Sequence, residues 1–490
     1  MSLRTQDLSL VQPGCAFING AWIQSSSTAS FQVFDPASWE PVAEVPDLGE
    51  AECAAAVVGA TGAFAQLKAL TGKQRGELLR NWFTLVKKSE EELAALITGE
   101  NGKPLGEARG EVAYALSFID WFAAEAPRVD GSVFQSSDRD NRIITMKQPV
   151  GVVGIVTPWN FPAAMITRKV AAALAAGCPC VVKPAPETPL TALALAYLAH
   201  AAGFPPGSLS IVTTQKNTVA VGKVLTEHPA VRKFSFTGST AVGKLLAAQC
   251  TKTLKKMSLE LGGNAPFIVF DDADLEKAAD SILASKFRLS GQTCVCTNRL
   301  YLQSGIHDKL AAILVQRVRQ FRLGPGRDPE STLGPLITEA AAKKVARHVQ
   351  DAVSRGASVL IGGEPAKGLG KSFFPPTVIV NVHPDSLCAN EETFGPLLPV
   401  FKFDTEEQVI HLANNTDVGL AGYFFTENVS CAWRIAEALE TGMVGVNTGI
   451  ISDVASPFGG IKESGQGREG STLGIEEYLE VKSVTFRVSK

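Results

Sequence analysis

An α/β fold with a doubly wound parallel sheet is the class that the sequence predicts, and three observations carry it. From Arg142 onward, β-prone and helix-prone segments alternate in the rhythm of strand–helix crossovers. Three sharp turns, PWNFP, KPAPETP and FTGSTAVG, stand at the ends of predicted strands, where such sheets hold their ligands. At 490 residues, 45% hydrophobic and 19% charged, the chain has the length for two or three domains and an ordinary globular composition.

The elements follow in order. Phe17 to about Pro46 mixes short β-prone pieces with turn residues. Glu50 to about Leu67 is an alanine-rich helix. Gly72 to about Ile97 reads as one long helix, with a stripe through Leu78, Leu79, Trp82, Phe83, Leu85 and Val86. A third helix runs from about Leu105 to Ala126 and ends at Pro127 and Asp130-Gly131. IITMKQPVGVVGIVTPW is β-rich and leads into a helix over Ala163–Ala176. CPCVVKP, SLSIVT and VRKFSFTG are strands, separated by helices at Thr188–Ala202 and Asn217–Thr226 and followed by one at Ser239–Cys250. A second α/β run opens with PFIVF and a helix from Asp274 toward Ser290. It continues through RLYLQ, helices at Ile306–Phe321 and Thr338–Arg355, and the strand FFPPTVIVNV. EEYLEVKSVTFRVSK alternates like an exposed strand, which needs cover from another subunit if it stays unpaired.

Composition excludes several functions. A net charge near −3 without a basic arm gives nucleic acid no footprint. No window reaches the roughly 18 unbroken apolar residues of a membrane span, and MSLRTQDLSLVQPG has no signal-peptide core. The cytoplasm is the expected compartment. Nine cysteines fall singly or as Cys178/Cys180 and Cys294/Cys296, and the six histidines form no H-x-x-x-H pattern. Neither a disulfide scaffold nor a metal site is expected.

The chemistry concentrates in three segments. FRLSGQTCVCTNR presents Cys294 after a small turn, and a cysteine works as a nucleophile only as thiolate. Alone it reads as an inert buried thiol; its company changes that. MSLELGGNAP puts Glu260 at the end of an apolar strand, where burial raises a carboxylate toward a base working near neutrality. TPWNFP fixes Asn160 between prolines, with an amide able to donate to an oxyanion.

PWNFP, ELGG and GQTC in this order, with KPAPETP, FTGSTAVG, EETFGP and PFGGIKESGQGRE, resemble the aldehyde dehydrogenase superfamily from about Phe17 onward. The resemblance implies Cys294 as nucleophile, Glu260 as activator of the hydrolytic water, and an oxyanion hole from Asn160 and the Cys294 N–H. It implies a Rossmann-type cofactor domain (1–127 and 148–259), a catalytic domain (260–468) and a β oligomerisation arm (128–147 and 469–490). Gly238 and Ser239 would line the pyrophosphate, Lys183 reach the adenosine ribose, and Glu392 and Phe394 position the nicotinamide riboside. Thr157, Pro158, Trp159, Pro186, Glu187 and Leu261 complete the implied cofactor surface. The Glu of ELGG speaks against a CoA-acylating relative, and retention of both Cys294 and Glu260 against a non-catalytic one.

Within the superfamily the chain is most similar to succinate-semialdehyde dehydrogenases, which clamp the substrate carboxylate with two arginines and a serine. The matching positions are Arg168, Arg288 and Ser452, and two guanidinium forks suit a carboxylate. Asp453 beside them would disfavour an anion if it pointed inward, so glutarate semialdehyde stays open as an alternative. NAD-preferring members place a carboxylate three residues after the lysine of the KPA turn; here Pro186 stands there and the acid is Glu187. Glu187 is expected to miss the ribose, leaving Lys183 for a 2′-phosphate, so NADP is the expected preference and NAD a second cofactor. Cys296 matches the redox partner of the nucleophile in related animal enzymes. The arm implies a homodimer or homotetramer.

Overall fold

The computed structural model describes residues 9–488; residues 1–8, within the opening segment expected to lack a signal peptide, and 489–490, within the predicted arm, lie outside the described residues. Two sheets organise it. The first runs in the order Gly465–Gln466, Lys256–Glu260, Val231–Thr237, Val152–Val156, Cys180–Lys183, Leu209–Ile211, parallel except for Gly465–Gln466. The second runs Ser358–Ile361, Thr377–Val380, Leu397–Phe403, Arg299–Gln303, Pro266–Val269, Ala421–Phe425, Met443–Val446, parallel except for Ser358–Ile361. The central strands are apolar on both faces because helices cover both. Cys180–Lys183 and Pro266–Val269 are buried throughout, and Val152–Val156 is buried up to its last residue.

The predicted helix over 72–97 is two helices, Gly72–Lys88 and Glu90–Asn101. Ser89 (φ −100°, ψ 15°) breaks it. Lys87 and Lys88 sit at the end of the first dipole and Glu90–Glu92 at the start of the second, so both charge sets favour a break here. The helix predicted toward Ser290 stops at Phe287. It is held at its start by Asp274, which accepts from the Glu276 and Lys277 N–H groups at 3.1 and 3.2 Å.

The C-terminal strand departs from expectation. Leu479–Arg487 is not left unpaired: it runs antiparallel to Asn141–Pro149 of the same chain, from Leu479 opposite Pro149 to Arg487 opposite Asn141. Val133–Gln135 adds a third strand on the far side. This nine-residue partner pairs one side of the strand, and Leu479–Arg487 stays at the edge of the three-stranded sheet with its outer side open. No helix among the described residues is long and apolar enough to cross a membrane.

Candidate active site

Cys294 follows a backbone that only outside support holds. Leu289 (φ 51°), Ser290 (φ 53°) and Gly291 (φ 76°) form three successive left-handed residues, a conformation that costs non-glycine residues energy. Each is tied down. The Leu289 N–H donates to the Glu107 carboxylate at 3.0 Å, and Ser290 Oγ to the Gly334 carbonyl at 2.7 Å. Gly291 admits no side chain, since a Cβ would stand 2.2 Å from the Gly395 carbonyl oxygen. Gln292 closes the turn with its side-chain amide on Leu289 O at 3.2 Å and receives the Ile337 N–H at 2.9 Å. The second glycine of ELGG has a comparable reason: a Cβ on Gly263 would meet the Cys294 carbonyl at 2.5 Å.

The Cys294 N–H makes no hydrogen bond among the described residues. Asn160 is buried, and its Nδ2 donates to Gln292 O at 3.1 Å, which aims the amide at the cysteine loop and leaves its second hydrogen for an oxyanion. Its backbone is fixed from below by Lys103, whose Nζ donates to the Asn160 carbonyl at 2.9 Å and pairs with Glu111. Glu111 accepts the Ala163 N–H at 2.8 Å and the Ala164 N–H at 3.3 Å, capping the next helix.

Glu260 is buried at the end of its strand, and desolvation pushes its pKa up to about 7 against the opposing pull of Arg168. Oε2 accepts from Arg168 Nη2 and, at 3.1 Å, from Thr237 Oγ1; Oε1 has no donor. That bare oxygen suits a water or a thiol proton. The thiol itself is not activated at rest. Burial first, then the charges of Glu260 and Glu392, push Cys294 up to about 12. Burial and these carboxylates outweigh the pull of Arg168 on the thiol, so the thiolate depends on proton transfer to a base. Cys296 is buried, its Sγ 3.3 Å from Gly291 O and 3.9 Å from Lys286 Nζ; all nine cysteines are free thiols.

The two arginines read as a carboxylate clamp stand in different surroundings. Arg168 is buried and already engaged: Nε donates to Glu469 at 2.5 Å and Nη2 to Glu260. Lys169 also pairs with Glu469. A buried guanidinium requires anionic partners, and two carboxylates of the chain meet that need. Only Nη1 is not committed to a carboxylate, so Arg168 offers a further carboxylate one nitrogen and not a two-nitrogen fork. Arg288 is different. Its guanidinium lies 4.9 Å from the Phe161 ring centroid, and with Ser452 it lines a cavity of about 10 Å³, room for one water. Asp453 is exposed and accepts the Ala455 N–H at 2.8 Å, so its charge stays outside.

The residues present fit a dinucleotide. Ser239 precedes the helix Thr240–Cys250 without a side-chain cap, leaving N–H groups for a pyrophosphate; the Gly238 N–H is spent on Glu260 O at 3.0 Å. A groove of about 890 Å³ runs along Ser239, Thr240, Gly262, Lys344 and Glu392. Glu392 accepts the Gly263 N–H at 3.2 Å and burial pushes it up to about 7. Phe394, at φ 54°, meets the Trp159 ring edge-on at 5.6 Å. Leu261 is fixed by its N–H on Ser464 O at 2.9 Å, and Thr157 by its N–H on Lys183 O at 3.2 Å. Pro158 lies between Thr157 and Trp159, half-buried.

In the KPA turn, Pro186 and Glu187 are the central residues, closed by the Thr188 N–H on Ala185 O at 3.2 Å. Burial lowers the Lys183 pKa and the charge of Glu187 raises it, and the two make no ion pair among the described residues.

Lys103, Glu107, Glu111, Lys169 and Glu469 escaped the sequence reading. One signal was available: Lys103, Glu107 and Glu111 are spaced by four, one face of a helix start, in a stretch whose neighbours are apolar.

The geometry agrees with what the chain is similar to. The sequence profile of the aldehyde dehydrogenase family matches residues 22–484. Succinate-semialdehyde dehydrogenase (NADP+) 1 of Schizosaccharomyces pombe is 54% identical, with 99% of this chain and 98% of the relative covered. Glutarate-semialdehyde dehydrogenase of Pseudomonas putida is 52% identical, over 96% and 98%. The crystal structure of succinate-semialdehyde dehydrogenase from Burkholderia pseudomallei superposes with a TM-score of 0.96 at 52% identity, covering 98% and 99%. A thiol on a strained, braced loop, a buried carboxylate with one bare oxygen and an amide aimed at that loop thus have one common explanation, which is that this chain belongs to the aldehyde dehydrogenase family.

Proposed function

We propose that the enzyme oxidises succinate semialdehyde to succinate with NADP as the preferred cofactor and NAD as a second, glutarate semialdehyde being the alternative substrate. The observation that carries the reading is the siting of Arg168 and Arg288 on the two segments adjoining Asn160 and Cys294, with Ser452 beside Arg288. Relatives similar to this chain bear the succinate and the glutarate names at nearly equal identity. Support for NADP comes from the name of the fission-yeast relative and from Pro186 standing where an excluding carboxylate is expected.

In this reading Cys294 yields its proton to a base and its sulfur attacks the aldehyde carbon. The Cys294 N–H and Asn160 amide hold the resulting oxyanion. Bound NAD(P) supplies the hydride acceptor. Glu260 then takes a proton from water as it attacks the thioester, and C–S cleavage frees the carboxylic acid. Glu260 must let go of Arg168 or use Oε1 to do so.

The test is kcat/KM for succinate semialdehyde, glutarate semialdehyde and butanal, each with NADP and NAD. Succinate semialdehyde with NADP is expected to lead, with butanal roughly a hundredfold lower. Equal values for butanal and the semialdehydes would overturn the substrate reading, and a tenfold advantage for NAD the cofactor reading.

A homodimer or homotetramer belongs to the same proposal. Val133, Phe134, Val481 and Phe486 are exposed on the three-stranded sheet, the kind of edge another copy covers. Light scattering is expected to give a dimer or tetramer mass; a monomer would contradict it. Nine free thiols suit a reducing compartment such as the cytoplasm.

A further inference from the structure

The helix Leu105–Glu125 does more than brace the oxyanion loop. Glu107, Glu111 and Tyr114 fall at i, i+4 and i+7, one face of that helix. Glu107 grips the backbone just after Arg288, and Glu111 caps the helix that carries Arg168. Tyr114 continues the same face, its ring edge-on to Phe118 at 4.7 Å.

Its hydroxyl is buried and makes no hydrogen bond of good geometry among the described residues, an uncommon state for a tyrosine, with Arg168 close enough to act on its oxygen. It lies in the field of two cations, Arg168 and Arg288, with Glu260 the weaker influence. Beside guanidiniums a hydroxyl turns its oxygen toward the positive charge and its proton away. The proton is thus left without an acceptor among the described residues. Burial raises the Tyr114 pKa, so the group stays a neutral donor at working pH.

We propose that the Tyr114 hydroxyl donates to the remote carboxylate of the substrate, acting as a specificity residue beside Arg288 and Arg168 Nη1. It makes up for the fork that Arg168 has lost to Glu260 and Glu469. This inference rests on the semialdehyde reading of the site.

Tyr114→Phe removes one oxygen and keeps the ring contact, so the fold should survive. Its kcat/KM for succinate semialdehyde is expected to fall about tenfold, chiefly through KM, with that for butanal unchanged. The inhibition constant of succinate as a dead-end ligand should rise by a similar factor. Equal losses on both aldehydes, or no change in either readout, would overturn the proposal. Arg288→Met, measured alongside, separates the two failures. If parent and Arg288→Met differ in carboxylate preference while Tyr114→Phe matches the parent, only the tyrosine is misassigned. If the parent itself shows no preference for semialdehyde over butanal, the underlying reading falls and takes this one with it.

Discussion

Cys294→Ala is expected to leave less than about one part in a thousand of the parent's turnover, because no covalent intermediate can form. Its binding of NADP, followed by quenching of tryptophan fluorescence, should match the parent. Glu260→Gln separates the two halves of the reaction. It should release about one equivalent of reduced cofactor per site in a burst, followed by a slow steady rate limited by thioester hydrolysis. The pH profile gives a second readout. Burial holds Glu260 near pKa 7, so the carboxylate that accepts a proton exists above that pH and is lost below it. The parent's steady rate should fall as pH drops through about 7, and the limb should flatten in Glu260→Gln. Full steady turnover in either variant would remove these residues from the mechanism.

Arg288→Met is the second large effect. Arg288 has no carboxylate partner within ion-pair distance among the described residues, unlike Arg168. Removing it should therefore cost transition-state binding of the anionic substrate on the order of 2–4 kcal/mol, with little loss on butanal. Arg168→Met, by contrast, should harm both aldehydes, since it strips Glu260 of its cation and Glu469 of one of its two, as well as removing Nη1. A buried carboxylate left without its partner is a stability defect too, so the thermal midpoint of Arg168→Met should drop while that of Arg288→Met stays near the parent's. An unchanged midpoint for Arg168→Met would show that its two ion pairs contribute little.

The fold was legible because its strands are continuous apolar runs closed by Pro and Gly turns, signals that belong to local sequence. Cys294, Glu260 and Asn160 were legible for a similar reason: each sits in a short motif with its own turn. The supports were not. Glu469 lies 301 positions from Arg168, and nothing in either local stretch announces the other. Glu107 holds a strained turn 182 positions away. Such pairs are products of tertiary packing, and only periodicity within the Lys103–Glu111 stretch hinted at them. The ion pairs of Arg168 were hidden for the same reason, since the carboxylates it meets are remote in sequence.

The strand Gly465–Gln466 lies along Leu259 and Glu260, and Glu469 follows three residues later to hold Arg168 and Lys169. During synthesis, then, a nascent chain already contains the nucleophile, its oxyanion donors and its base while Arg168 still lacks one of its two carboxylates. The charge balance beneath the site is thereby completed only at a late stage of translation, when Glu469 has emerged.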